Sequence, residues 1–146
     1  MTKILIKRSS HKVIIPKYET KGSSGMDIAA HLDKKIEIFP GKKAIIPTGF
    51  FLSIPNGFEI QIRPRSGLAA KKGISVLNTP GTIDSDFRGE IKVILINFGN
   101  ESFIVENEAR IAQMVLCPVI IADLQEVDEL NETARGTGGF GSTGAK

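Results

Sequence analysis

Histidine and cysteine are scarce in this chain of 146 residues: there are two histidines, His11 and His31, and one cysteine, Cys117. A lone cysteine cannot staple its own chain, and neither histidine pairs with it at a zinc spacing. Cys117 lies inside the apolar run Met114-Val115-Leu116-Cys117-Pro118-Val119-Ile120-Ile121, where a small core residue is expected. A Ser-His-Asp arrangement would need a histidine in a glycine-shaped motif, and both histidines read as surface residues. Acid–base chemistry therefore falls to carboxylates. Long apolar stretches are lacking too. None approaches the roughly 18 residues of a membrane span, and the apolar stretch within Met1–Arg8 is far shorter than the core of a secretory signal. A cytoplasmic protein with no membrane partner is expected. Strong charge is also missing. The net charge is +3, and the basic residues are scattered rather than interleaved with aromatics, which argues against a nucleic-acid partner.

What remains is an ordinary globular composition, 41% hydrophobic and 24% charged, in a chain long enough for one core without staples. Its dominant period is two. Ile36 and Ile38, then Phe58, Ile60 and Ile62, then Val93 and Leu95 alternate with polar or small neighbours, as half-buried strands do. Apolar runs at Lys43–Ile46 and Phe50–Ile54 lie between the turn signals Pro40-Gly41, Pro55-Asn56-Gly57, Pro80-Gly81 and Gly99-Asn100. Only Ser66–Gly73 reads as helical, with Ser66 at the cap and Gly73 as the stop. The expected fold is all-β: one domain, a jelly roll or β-barrel over residues 1–134, with a single short helix. Residues 135–146 form a glycine-rich tail with almost nothing to contribute to a core.

The tail contains Gly136-x-Gly138-x-x-Gly141, a formal match to the dinucleotide-binding fingerprint. No strand precedes it and no βαβ unit surrounds it, so that reading is rejected. A GxxxxGK-Ser/Thr phosphate loop does not occur. Three other segments carry chemistry. Arg63-Pro64-Arg65-Ser66-Gly67 sets two arginines and a hydroxyl at a helix start, a good setting for an anion. Pro80–Glu90 reads as a hairpin bearing several carboxylates, Phe87 and Arg88. Ser23-Ser24-Gly25-Met26-Asp27 places an acid after a glycine turn. Taken singly, each is explained equally well by caps, turns and surface ion pairs.

Together the segments resemble a family. Ser24-Gly25-Met26-Asp27-Ile28-Ala29-Ala30, Pro64-Arg65-Ser66-Gly67-Leu68-Ala69, Gly81-Thr82-Ile83-Asp84-Ser85-Asp86-Phe87-Arg88-Gly89, Arg110-Ile111-Ala112-Gln113 and Arg135-Gly136-x-Gly138-Gly139-Phe140-Gly141-Ser142-Thr143-Gly144 are similar, in order, to the five motifs of the deoxyuridine triphosphatases (dUTPases). The third and fifth are long and specific, and the five span the chain from Ser24 to Gly144.

The resemblance implies hydrolysis of dUTP to dUMP and pyrophosphate, which limits uracil incorporation into DNA and supplies dUMP for thymidylate synthesis. It implies a homotrimer with active sites shared between subunits. Asp84 is then the catalytic base that activates the attacking water, and an ordinary aspartate is ionised and available for that task at neutral pH. Asp27 is implied to hold Mg²⁺ through water. Arg65, Ser66, Gly67 and Gln113 would grip the phosphates, and Asn78, Gly81 and Ile83 would belong to the uracil-binding hairpin. Arg135, Gly141, Ser142 and Thr143 would close over the γ end while Phe140 stacks on the base. Arg110 is equally readable as a structural ion-pair residue. Phe87 stands where the family usually has a tyrosine under the deoxyribose; it keeps the flat face and lacks the phenolic donor. Two rival readings are a dCTP deaminase, which shares the implied fold, and a non-catalytic trimeric nucleotide-binding module. The intact tail and Asp84 weigh against the first, and the retention of every motif weighs against the second.

Overall fold

The computed structural model describes residues 1–144; Ala145 and Lys146, the end of the expected 135–146 tail, lie outside the described residues. In chain order the elements are β1 (Leu5–Arg8), β2 (Met26–Ala29), β3 (Ile36–Ile38), β4 (Lys43–Ser53), β5 (Phe58–Arg63), α1 (Ser66–Lys72), β6 (Ile74–Val76), β7 (Gly81–Ile83), β8 (Glu90–Asn97), β9 (Phe103–Val105) and β10 (Arg110–Pro118). They build one sheet in the order β1-β4-β8-β6, a second in the order β2-β10-β5-β7, and a small β3-β9 pair, with every pairing antiparallel. The all-β class with one short helix is as expected. Of the two architectures expected, the closed barrel is not the one observed: the sheets are open, and β1, β6, β2 and β7 remain edges.

The alternating isoleucines explain why the two sheets stack. Ile60 and Ile62 on β5 point inward while Glu59, Gln61 and Arg63 point out, and on β8 Ile91, Val93 and Leu95 do the same around Lys92. Their inward faces meet Ile28, Ile38, Ile46, Phe50, Ile74 and Ile111 in a single core. Full burial of each such side chain is worth roughly 1.5–3 kcal/mol relative to exposure. Among the described residues only two polar residues are buried, Thr48 and Asn97, and both are satisfied. Thr48 Oγ1 donates to Ile91 O at 2.6 Å, and Asn97 Nδ2 donates to Ile38 O and Glu101 O at 2.8 Å each.

The runs Lys43–Ile46 and Phe50–Ile54 share one strand: all but Ile54 belong to the continuous β4, whose pairing with β8 shifts register between Pro47 and Phe51. Proline offers no N–H to a ladder, which suits it to such an irregularity. Three local expectations are corrected. Ser66 is not the helix cap but its first residue; the cap position is Arg65, without a side-chain bond, whereas Gly73 does stop the helix at φ 67°. Cys117 is half-buried on the outer face of β10, where Arg63 Nη2 approaches its sulfur at 3.6 Å. His31 is half-buried as well, because its ring packs beside Gly49, whereas His11 is exposed as expected.

Gly49 is the pivot of the β4 irregularity. Its φ is +73°, and a Cβ there would lie 2.6 Å from Val13 Cγ2 and 2.9 Å from His31 Cδ2. Its amide donates to Glu90 Oε1 at 3.0 Å. Gly49→Ala is therefore expected to destabilise the fold by about 1–3 kcal/mol, combining the left-handed backbone and the clash. A urea midpoint unchanged from the parent would refute that account.

Candidate active site

The register of the second sheet builds one cluster. Gln113 on β10 pairs with Asp27 on β2 at one side and with Arg63 on β5 at the other, so the three lie in one row across the sheet. The chain leaving β5 turns through Pro64 into α1, which brings Arg65 back over that row. Asp27 Oδ1 accepts a bond from Arg65 Nε at 3.1 Å, and Oδ2 accepts one from Arg110 Nη1 at 3.2 Å. Arg65 Nη1 also donates to Arg110 O at 3.3 Å. Gln113 Nε2 donates to Pro64 O at 2.9 Å, which ties the row to the start of the helix. Two guanidinium groups against one carboxylate leave the cluster with surplus positive charge. Arg110 is thus an ion-pair partner of Asp27, the structural reading left open for it above.

Small residues are required here by space. A Cβ on Gly25 would lie 2.5 Å from Gln113 Oε1, so the glycine before Met26-Asp27 makes room for the glutamine. Gly67 differs. Beyond its chain neighbours and its own helix backbone, nothing lies within 4 Å of where its Cβ would be, and Ser66 beside it is exposed.

A second group forms at the other end of the expected site residues. Asn78, Gly81 and Ile83 border a narrow cavity of about 50 Å³ with Ile62, Val76 and Val93. The segment Pro80–Glu90 is not a two-strand hairpin. β7 pairs with β5 in the second sheet, whereas β8 pairs with β4 and β6 in the first. The chain instead crosses from sheet to sheet through a tight turn, closed by Phe87 N donating to Asp84 O at 3.2 Å. The turn signals were legible; which strands they joined was not. Asp84 is exposed at the start of this turn, and it lines an open cleft of about 620 Å³ with Asn56, Glu59, Asp86 and Ile121. Phe87 is partly exposed, 43%, at the end of the turn.

None of these clefts is lined by both groups. The cleft lined by Asp84 includes none of Asp27, Arg65 or Gln113, and the cleft lined by Asp27 and Arg110 includes neither Asp84 nor Asn78. The tail joins neither. Every hydrogen bond of residues 120–144 is made, among the described residues, to another residue of that stretch, such as Arg135 Nε to Gly138 O at 2.8 Å. Phe140, Gly141, Ser142 and Thr143 are exposed, as are Ile120, Ile121, Leu124 and Leu130 further back. Among the described residues no group of three or more His, Cys, Asp or Glu side chains is placed to hold a metal ion, and no helix is long and apolar enough to cross a membrane. Arg88 was noticed in the sequence only as part of its segment, and its side chain proves to fold back on the Asp84 turn.

An antiparallel fold of two main sheets, carrying an arginine–carboxylate cluster and a separate carboxylate turn beside an open cleft, is of the jelly-roll class. The chain belongs to the dUTPase family, whose family model matches residues 11–144. It is 58% identical over 132 residues to the deoxyuridine 5'-triphosphate nucleotidohydrolase of Brucella melitensis biotype 2, covering 89% of this chain and 84% of the relative. The enzyme of the same name from Chlamydia pneumoniae is also 58% identical, covering 90% of this chain and 91% of the relative. Among solved structures, the Staphylococcus bacteriophage 80alpha dUTPase with dUPNHPP superposes with a TM-score of 0.85 at 26% identity, over 99% of this chain and 100% of that one.

Proposed function

We propose that this chain hydrolyses dUTP to dUMP and pyrophosphate with Mg²⁺, in a trimer whose active sites each draw on more than one chain. Family membership supports the reaction. The observation that carries the shared-site reading is the separation, within one chain, of the Asp84 turn from the Asp27–Arg65–Gln113 cluster. A neighbouring chain is the natural source of the missing half. The exposed arm beyond Val119, free of bonds to its own sheets among the described residues, fits the same idea: residues 1–134 form the β-sheet domain and 135–146 the tail that closes over a neighbour's site.

In this reading Asp84 takes a proton from the water whose oxygen attacks the α-phosphorus, and pyrophosphate leaves with the P–O electron pair. Its exposure on the turn supports access to that water. Arg65 is held by Asp27 through Nε, which fixes the guanidinium plane for phosphate oxygens. Gly67, with open space where a Cβ would project, suits close approach of a phosphate to the backbone beside Ser66. Both carboxylate oxygens of Asp27 are engaged by arginines, so Asp27 would meet Mg²⁺ through bound water rather than directly, with substrate phosphate oxygens supplying the remaining ligands. Bound there, the ion would neutralise charge on the phosphates.

The cavity beside Asn78, Gly81 and Ile83 supports uracil selection. Its backbone would pair with the uracil edge; cytosine exchanges donor for acceptor there, and thymine adds a methyl that a narrow space walled by Ile62 and Val93 resists. Phe87 would lie under the deoxyribose, while Phe140 would cover the base and Arg135, Gly141, Ser142 and Thr143 the γ end. Pyrophosphate release from dUTP, with dCTP, dTTP and UTP as controls, tests the whole. dUTP should be preferred by roughly 10³-fold or more in kcat/KM over dCTP. Ammonia release from dCTP, or binding of dUTP without turnover, would count decisively against the assignment.

A further inference from the structure

Phe87 does not stand alone on its turn. A Cβ added at Gly89 would lie 2.5 Å from Phe87 Cζ, 2.9 Å from Cε2 and 3.2 Å from Cε1, so the ring edge lies against the bare α-carbon of the glycine two residues on. Gly89 has no positive φ, so its backbone does not demand glycine. The three nearest neighbours such a Cβ would meet all belong to the ring. Between the two residues, Arg88 reaches back: its Nη1 donates to Ser85 O at 2.6 Å and to Phe87 O at 2.9 Å. One guanidinium thus ties the middle of the Asp84–Phe87 turn to its end. The turn's own bond, Phe87 N to Asp84 O, closes the same loop.

We infer that Gly89 and Arg88 are positioning residues for sugar selection: Gly89 seats the Phe87 ring, and Arg88 locks the turn that carries both this ring and Asp84. The inference rests on the reading above in which Phe87 lies under the sugar. Its physical content is a division of labour. An aromatic that is 43% exposed on a turn would otherwise sample several rotamers, each presenting a different surface. Pressing the ring onto a bare α-carbon selects one. A methyl at residue 89 would lift the ring, the movable partner, toward the space reserved for the sugar. The fold should survive, because the ring is exposed and no core residue is involved. The cost should fall on sugar selection. It should also fall on KM more than on kcat, since the carboxylate of Asp84 lies at the opposite end of the turn.

A double-variant cycle on full-length protein tests this, with the ratio of kcat/KM for dUTP over UTP as the reading and thermal unfolding as the control. Phe87→Ala should lower the ratio by roughly tenfold or more. Gly89→Ala should lower it comparably, with the melting temperature near that of the parent. With the ring gone, the extra methyl has nothing to displace, so Phe87→Ala/Gly89→Ala should match Phe87→Ala alone. Arg88→Met, which leaves the ring and its seat intact, should lower the ratio less. It keeps the question open to measurement even where Gly89→Ala folds poorly. A Gly89→Ala protein with the parent's ratio overturns the inference, as does a double variant worse than Phe87→Ala or an Arg88→Met protein identical to the parent. If Phe87→Ala itself leaves the ratio unchanged, the sugar-platform reading fails and takes this inference with it.

Discussion

Asp84→Asn should lower pyrophosphate release by roughly 10²–10⁴ while nucleotide binding persists. The amide keeps the shape of the carboxylate but cannot accept the proton of the attacking water. The structure gives good reason to expect an undisturbed fold. Asp84 is exposed, makes no side-chain hydrogen bond among the described residues, and holds its turn through its backbone carbonyl, which the substitution retains. The measurement pairs single-turnover hydrolysis with binding of a non-hydrolysable dUTP analogue. Turnover within a few-fold of the parent would remove Asp84 from the role of base. Loss of binding together with loss of rate would assign it to substrate grip instead. Asp86 offers an internal comparison. It lines the same cleft two residues on, and Asp86→Asn should change the rate far less.

Mixing two inactive variants should restore activity. The first, Asp84→Asn, supplies an intact tail but no base. The second, a chain ending at Ala134, supplies the base but no tail. Each alone should be nearly inactive. The tail has the reach: the twelve residues from Arg135 to Lys146 could span up to about 40 Å if extended. Glycine at five of those positions lets the backbone fold around phosphates with little side-chain hindrance. Among the described residues the tail makes no hydrogen bond to the sheets, which fits partners drawn from ligand or from another chain. In randomly mixed trimers, roughly a quarter of the sites would combine an intact Asp84 with an intact tail from another chain. The two proteins are unfolded and refolded together, mixed trimers are confirmed by mass, and pyrophosphate release is assayed. Confirmed mixed trimers that stay inactive would show that each tail serves its own subunit.

Much of this was legible along the chain. Period-two apolar residues announced β3, β5 and β8 because a strand alternates its faces whatever it pairs with, and Gly73 announced the end of α1 because only glycine takes that φ without cost. The five motifs carried the family, since chemistry at phosphates demands particular residue types at particular spacings. Pairing, however, is not a local property. Nothing near Pro80–Glu90 says that β7 joins β5 while β8 joins β4, because a turn signal marks a reversal and not a partner. The fusion of two apolar runs into β4 depended on Thr48 finding Ile91 O and on Gly49 fitting against Val13 and His31, all distant in sequence. The half-buried states of Cys117 and His31 likewise depended on which face and which neighbour the sheets gave them. Arg110 shows the division most clearly. Its motif identified it, but only the register of β10 against β2, bringing it to Asp27, decided that it holds another side chain. The sequence by itself determined the class of fold, the family and the candidate residues, because periodicity, turn chemistry and motif spacing are short-range. Tertiary structure alone decided which of those residues meet, because strand partners and side-chain neighbours are chosen by packing across the whole chain.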